Sequence, residues 1–139
     1  MSYVIDASVA AKLFIVEDDS DKAVELVDAH AKGYLSLSAP TLIVYELGNV
    51  FWKHPQITPE RAHAFIKRFL NLQISLQNVY LDDDLLRSAC ELSESRGVTF
   101  YDASYMAMTE RNRIKMLTAD EEIHDKAPDI TVLLKEFRV

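Results

Sequence analysis

The chain of 139 residues has one cysteine, three glycines and four prolines. The single cysteine, Cys90, allows no internal disulfide and no cysteine-based zinc site. Because Cys90 lies among apolar residues, we expect it to be buried and unreactive. Gly33, Gly48 and Gly97 are too far apart for a dinucleotide-binding or phosphate-cradling loop, which needs glycines within a few residues. The sequence therefore excludes the common NAD- and ATP-binding motifs.

The chain also lacks a long apolar run and an excess of positive charge. No stretch approaches the roughly 20 apolar residues of a transmembrane helix. The first residues have no basic side chain before their apolar stretch, and Asp6 interrupts it, so a signal peptide is not indicated. We expect a cytoplasmic protein with no membrane attachment. The net charge of −7 means that, if RNA is bound, metal ions or a local basic patch must offset the repulsion.

Motifs for nucleophilic catalysis are missing as well. There is no Gly-x-Ser-x-Gly elbow for a serine nucleophile. The four histidines, His30, His54, His63 and His124, show no short metal-ligand spacing, so each is interpreted as a surface residue. These absences argue against acyl-transfer chemistry.

What the chain does contain is an alternation of strand and helix patterns, which predicts a single domain over residues 1–139. Short β-branched or aromatic runs predict four to five strands, at Tyr3–Ile5, Tyr34–Leu37, Ile74–Leu81, Ile114–Thr118 and Ile130–Leu134. Helices are predicted at Ser8–Phe14, Ser20 up to Gly33, Thr41–Lys53, Thr58–Leu72, Asp82 up to Gly97, Asp102–Arg111 and Glu121–Lys126. Ser20 is expected to cap the second of these helices, and Pro40 to open the third. This order is typical of a mostly parallel sheet covered by helices on both faces, a three-layer α/β/α architecture.

Two acids follow predicted strands directly. Asp6 comes after Tyr3–Ile5, and Asp120 comes shortly after Ile114–Thr118. In parallel α/β sheets, ligand sites form beyond the carboxyl ends of strands. Each acid also has an ordinary structural interpretation, since Asp is a good helix N-cap and a common turn residue.

Two further acids lie in helices. Glu46 is the only acid between Asp28 and Glu60, in a helix so apolar that it must be largely buried. A buried carboxylate is costly unless it is paired or bound to a cation, and a salt bridge to Lys53 is one alternative. Asp102 stands at the start of a predicted helix, where an N-cap role is the alternative.

Taken together and in this order, the four acids resemble the pattern of the PIN-domain family. The matching segments are Val4-Ile5-Asp6-Ala7-Ser8, Tyr45-Glu46-Leu47-Gly48-Asn49, Tyr101-Asp102-Ala103-Ser104-Tyr105-Met106-Ala107 and Leu117-Thr118-Ala119-Asp120. The resemblance implies a parallel sheet flanked by helices, Mg²⁺ or Mn²⁺ as cofactor, and endonuclease action on RNA. It also implies that Asp6, Glu46, Asp102 and Asp120 are the catalytic metal ligands, with Ser8 and Thr118 as polar neighbours that support them.

The short chain is most similar to the VapC-type ribonuclease toxins within that family. This resemblance implies a cognate antitoxin and a homodimer, for which the apolar surface of Thr58–Leu72 is a candidate contact. A PIN nuclease of RNA processing and a non-catalytic PIN-like interaction module remain alternatives. The sequence does not decide whether Glu121 or Glu122 joins the site, or whether one metal ion or two would operate.

Substrate contacts are harder to predict from the sequence. Basic residues that could hold phosphates are Lys12, Lys53, His54, Arg61, Lys67 and Arg68, although scattered surface charges are the simpler interpretation. Tyr45, Trp52 and Tyr105 could stack on unpaired bases. Packing in the core is the preferred interpretation for all three.

Overall fold

Strands and helices alternate along the chain in the computed structural model, which describes residues 1–139. The strands are β1 (Ser2–Ile5), β2 (Ser36–Pro40), β3 (Ser75–Gln77), β4 (Lys115–Thr118) and β5 (Thr131–Leu133). The helices are α1 (Ala7–Ala11), α2 (Ser20–Ala31), α3 (Leu42–Lys53), α4 (Pro59–Asn71), α5 (Asp83–Arg96), α6 (Phe100–Asn112) and α7 (Glu121–Lys126). Short 3-10 turns lie at Val79–Leu81 and Leu134–Glu136. No helix combines the length and the apolar character needed to cross a membrane.

All five strands are parallel and form one sheet in the order β3-β2-β1-β4-β5. The chain runs outward from β1 through β2 to β3 and then crosses back to β4 on the other side of β1. Because parallel crossovers are right-handed, the reversal places α1–α4 on one face and α5–α7 on the other. The predicted α/β/α architecture is confirmed. The strand order reverses between β1 and β4, where the connections diverge and leave a crevice at the carboxyl ends.

The core is one contiguous cluster of 29 buried residues on both sides of the sheet. The two central strands contribute Val4, Ile5, Met116 and Leu117, each at most 1% exposed. Helix α6 is buried along its whole middle section, residues 103–109, because it packs on the sheet and on α5. This packing fixes the first turn of α6 at the edge of the crevice.

Two predicted element boundaries differ from the observed ones. Pro40, expected to open a helix, is the last residue of β2. The predicted strand Ile74–Leu81 is shorter, because β3 is an edge strand that pairs only with β2, and their pairing ends at Pro40 and Gln77. Beyond that point the chain turns into the 3-10 segment at Val79–Leu81.

Two local predictions are wrong. Cys90 is exposed, because α5 turns Leu85, Ala89 and Leu92 toward the core and the residue after Ala89 falls outside that face. Ser20 does not cap α2. Its hydroxyl accepts the Glu17 amide hydrogen at 3.0 Å and donates to the Ile15 carbonyl at 3.2 Å, so it closes the preceding loop instead.

Candidate active site

Two carboxylates lie side by side because their strands are neighbours. Asp6 directly follows β1, and Asp120 lies two residues beyond β4, with Ile5 in register with Leu117. Each also begins a helix, as the ordinary structural interpretation expects. Asp6 Oδ1 accepts the Val9 amide at 3.2 Å, and Asp120 Oδ1 accepts the first amides of α7. Capping uses Oδ1 in both residues and leaves Asp120 Oδ2 without such a contact.

The other two carboxylates come from helices on opposite faces of the sheet. Glu46 lies on α3 and Asp102 in the first turn of α6. Asp102 is not the N-cap of α6. That role belongs to Thr99, whose Oγ1 accepts the Asp102 amide at 3.1 Å. The Asp102 carboxylate is therefore not needed for capping and is available to the crevice.

Asp6, Glu46, Asp102 and Asp120 line one cavity of about 140 Å³ at the carboxyl edge of the sheet. The remaining lining residues are Ala7, Ser8, Tyr105, Met116 and Ile123. No basic side chain lines this cavity, which we call the acid pocket. Four acids without a lining cation form a site whose charge must be balanced by something that enters it.

Asp6 is the most deeply buried of the four, at 5% exposure. Ser8 Oγ donates to its Oδ1 at 2.5 Å, and Thr118 Oγ1 donates to its Oδ2. Burial raises the pKa of Asp6 to about 6, the Ser8 and Thr118 donors oppose that rise, and the charge of Asp120 adds to it. The buried anion is thus only partly stabilised by the protein.

Ser8 and Thr118 also connect β1 to β4 beyond the sheet. Ser8 Oγ accepts the Ala119 amide at 2.9 Å, and Thr118 Oγ1 accepts the Asp120 amide at 3.1 Å. The two hydroxyls therefore hold Asp6 and the backbone of Asp120 in one hydrogen-bonded unit. Both residues were singled out from the sequence, and the structure places both against Asp6.

Glu46 is held by Tyr105, for which packing in the core was the preferred interpretation. The Tyr105 hydroxyl donates to Glu46 Oε1 at 2.5 Å, so the partner of Glu46 is a phenol and not Lys53, the alternative considered from the sequence. Burial raises the pKa of Glu46, and the charges of Asp102 and Asp6 add to it, while the Tyr105 bond lowers it. Burial and the Glu46 charge hold the pKa of Tyr105 well above its usual range, so the phenol remains a donor. One signal was available in the sequence, since Asp102 and Tyr105 are three residues apart on one helix face.

The chemistry of the acid pocket suits a hard divalent cation. All charged donors are carboxylate oxygens, the ligands that Mg²⁺ and Mn²⁺ prefer. As the side chains stand, no three acidic, histidine or cysteine side chains are grouped closely enough to hold one ion directly. Mg²⁺ usually takes one or two carboxylates and keeps several waters, so this wider spacing fits a partly hydrated ion.

The acids after Asp120 do not line the acid pocket. Glu121 is paired with Lys135 at 2.7 Å, and this contact lowers the pKa of Glu121. Burial is the main cause that raises the pKa of Asp102, and Glu122 lies near enough for its charge to raise this pKa further. Glu121 is thus committed to a surface ion pair, whereas Glu122 contributes only charge.

The predicted phosphate-holding cations do not line the acid pocket either. The Lys12 ammonium lies 3.3 Å from Glu17 Oε1 and donates to the Asp18 carbonyl at 2.6 Å. The guanidinium of Arg61 lies over the Phe65 ring. The acid pocket thus has no basic lining residue, although the charge of Lys126 on α7 is near enough to lower the pKa of Asp102.

Tyr105 is buried as expected, but the same prediction is wrong for Tyr45 and Trp52. Tyr45 is 79% exposed and Trp52 is 77% exposed. Helix α3 buries Ile43, Leu47 and Phe51, and the two aromatic side chains project from other faces of the helix.

Comparison with known proteins gives a consistent result. A model of the PIN domain matches residues 3–128. Ribonuclease VapC3 of Pyrobaculum aerophilum is 30% identical over 92% of this chain and 96% of its own length, and Exonuclease VapC9 of the same organism is 31% identical over 96% and 94%. The toxin–antitoxin complex from Klebsiella pneumoniae contains a chain with a TM-score of 0.70, 13% identity, and coverage of 97% of this chain and 99% of that one. That last likeness concerns the fold alone.

Proposed function

This chain belongs to the PIN domain family, and from that premise we propose that it is a metal-dependent endoribonuclease of the VapC type, the toxin of a toxin–antitoxin pair. The observation that carries the proposal is the meeting of four sequence-distant carboxylates in one pocket with no lining cation. Carboxylates that served only as caps and salt bridges would not need to face one another at a cost in desolvation. The non-catalytic alternative therefore has the weaker physical basis.

Asp6 and Asp120 would hold the cation most directly, with Glu46 and Asp102 completing the site partly through water. A bound Mg²⁺ or Mn²⁺ supplies a water of lowered pKa and offsets the negative charge of the scissile phosphate. The protein's own contribution is orientation. Ser8 and Thr118 fix Asp6, and Tyr105 fixes Glu46, so the carboxylates need little rearrangement when charge enters the pocket.

The direct test is RNA cleavage by the purified chain with added Mg²⁺ or Mn²⁺, with and without chelator. We expect cleavage that requires the metal and that falls at least on the order of 100-fold in Asp6→Asn, a loss typical of removing one electrostatic contact to a transition state. Asp83→Asn is the matched control, because Asp83 is an exposed carboxylate on α5 outside the acid pocket. Equal cleavage by both variants, or cleavage in chelator, would contradict the proposal.

The mode of attack needs its own test, because the names of the two relatives differ, one a ribonuclease and the other an exonuclease. A circular RNA has no ends, so an endonuclease linearises it and an exonuclease leaves it intact. We expect linearisation by the native chain with Mn²⁺. An intact circle beside a degraded linear strand of the same sequence would favour exonuclease action.

The toxin role implies a protein partner, and the Klebsiella pneumoniae neighbour is itself a toxin–antitoxin complex. We propose that an antitoxin covers the acid pocket and sets a basic side chain among the carboxylates. Co-expression with the cognate antitoxin should abolish RNA cleavage and protect the pocket from added metal. Cleavage that persists in such a complex would favour the RNA-processing alternative.

We also propose a homodimer, with the exposed side of α4 as a candidate contact. Leu70 on this helix is partly exposed, whereas Phe69 is buried. Light scattering at micromolar concentration should give twice the mass of the chain. A strict monomer, or a dimer unaffected by Leu70→Glu, would exclude this contact.

A further inference from the structure

Two tyrosines stand directly beside acid-pocket carboxylates in the chain. Tyr45 precedes Glu46 on α3, and Tyr101 precedes Asp102 on α6. Tyr45 is 79% exposed and Tyr101 is 60% exposed, although large aromatic side chains usually bury most of their surface. Neither tyrosine contributes to the core, so their rings are free to contact something outside the chain.

These rings form part of a surface that is continuous with the acid pocket. Tyr45 and Tyr101 share one cavity with Leu42, Asn49 and Glu46, and Glu46 also lines the acid pocket. The same two tyrosines line a second cavity of about 210 Å³ together with Tyr80 and Phe100. We call the aromatic wall formed by Tyr45, Tyr80, Phe100 and Tyr101 the tyrosine shelf. The tyrosine shelf adjoins the acid pocket at Glu46.

The chemistry of this second cavity selects between kinds of ligand. None of its ten lining residues is charged, so nothing in it would hold a phosphate. A flat aromatic group matches the tyrosine rings and the absence of charge in this cavity.

The charge of the whole chain points in the same direction. With a net charge of −7 and no basic side chain lining the acid pocket, attraction between side chains and phosphates contributes little to the affinity for an RNA strand. Stacking on aromatic rings is insensitive to that charge and requires that the bases be unpaired. A strand whose scissile phosphate lies in the acid pocket must place a neighbouring nucleotide close to the surrounding walls, and the shelf is one of them.

We propose that the tyrosine shelf binds an unpaired nucleobase next to the scissile phosphate of the RNA strand. This inference rests on the proposed nuclease function, since it assumes that the phosphate occupies the acid pocket. Tyr45 and Tyr101 supply the stacking surface, and the phosphate itself makes no contact with the shelf.

The test measures binding of a fluorescent single-stranded oligoribonucleotide of mixed sequence, in an Asp6→Asn background so that the strand is not cut. We expect Tyr45→Ala and Tyr101→Ala each to weaken binding roughly ten-fold, within the range for loss of one base–aromatic stack. The slope of log affinity against log salt should not change, because no phosphate contact is lost. The same oligonucleotide annealed to its complement should show no difference between these proteins.

Two matched controls isolate the rings. Tyr45→Phe and Tyr101→Phe keep the stacking surface and should bind like the parent. Tyr34 is 71% exposed but lies before β2, at the opposite edge of the sheet from the acids, so Tyr34→Ala should also bind like the parent. All these positions are exposed, so the substitutions should leave the fold intact, which thermal unfolding checks.

Unchanged RNA affinity in Tyr45→Ala and Tyr101→Ala would overturn the proposal. So would a loss confined to self-association or to antitoxin binding, since the shelf would then be a protein interface. These failures leave RNA cleavage by the native chain intact. If the native chain neither cuts nor binds the single strand, the proposed function fails and the shelf proposal fails with it.

Discussion

The two halves of the acid pocket are built differently. The strand half, with Asp6 and Asp120 at the ends of β1 and β4, is held by hydroxyl and amide donors from both strands. The helix half, with Glu46 and Asp102 on α3 and α6, has one hydroxyl partner for each carboxylate, Tyr105 for Glu46 and Thr99 for Asp102. The comparison shows that a carboxylate at a strand end is positioned by the sheet and by several hydrogen bonds, whereas one on a helix is positioned by a single neighbouring side chain.

The sharpest test of this comparison is metal affinity. We expect Asp6→Asn to weaken Mn²⁺ binding on the order of 100-fold and Asp102→Asn by about ten-fold, because two hydroxyl donors hold the Asp6 carboxylate before the ion enters and only one holds that of Asp102. Isothermal titration of the two variants and the native chain measures this. Equal losses, or a larger loss in Asp102→Asn, would show that the two halves contribute alike.

The pH dependence of stability tests the burial of the strand half. In the folded chain the pKa of Asp6 is raised to about 6, above the value near 3.9 of an unfolded chain. The folded state therefore binds more protons between these values, and the free energy of unfolding falls as pH rises from about 4 to about 6. The loss from Asp6 is about 3 kcal/mol in the absence of metal.

Denaturant unfolding of the chelated chain across this pH window measures that loss. Asp6→Asn has no such proton to lose, so its free energy of unfolding should vary less with pH. Near pH 7 this free energy should exceed that of the native chain. Asn keeps the capping role at this position. A native chain whose stability rises through the same window would contradict the burial of a strained carboxylate.

Thr118→Val tests the hydrogen bonds of the strand half at nearly constant volume. The substitution leaves Asp6 Oδ2 without its donor and the Asp120 amide without its acceptor. We expect a loss of about 2 kcal/mol in the free energy of unfolding and a further rise in the pKa of Asp6. Thr109→Val is the control, since the buried Thr109 hydroxyl bonds only the Tyr105 carbonyl. The control should leave the pH profile of cleavage unchanged, and an identical shift in both variants would refute the assignment.

Tyr105→Phe tests the helix half and should have the smallest effect. The ring stays in the core, and Glu46 loses its donor but can be reached by water. We expect kcat/KM to fall by at most about ten-fold. The acid limb of the pH profile should move to higher pH, because the Tyr105 bond lowers the pKa of Glu46 and its removal lets that pKa rise. Tyr34→Phe should change neither quantity. A fall in kcat/KM larger than the one measured for Thr118→Val would reverse the comparison.

Much of this arrangement was predictable from the sequence, because two acids follow predicted strands and a third lies in a helix apolar enough to be largely buried. The positions of Asp6 and Asp120 follow from the local pattern and from the geometry of parallel sheets. The bond between Tyr105 and Glu46 joins residues 59 positions apart. It depends on how α3 and α6 pack across the crevice, which no local pattern encodes.

The exposed aromatic side chains were missed for a related reason. Tyr45 and Trp52 lie in a helix with an apolar majority, and composition alone assigns such residues to the core. Only the choice of face, set by the contact of α3 with the sheet, α1 and α4, leaves them outside. The catalytic and metal-binding roles of the four acids stay predictions.

The capping bond at Asp6 has a practical consequence. Since the Val9 amide donates to Asp6 Oδ1, any ion or proton that draws charge from this carboxylate also perturbs one backbone amide at the start of α1. The nuclear magnetic resonance signal of that amide is therefore a built-in reporter of occupancy. It would let titrations of metal, substrate and inhibitor be followed in nitrogen-15-labelled protein without a fluorescent tag.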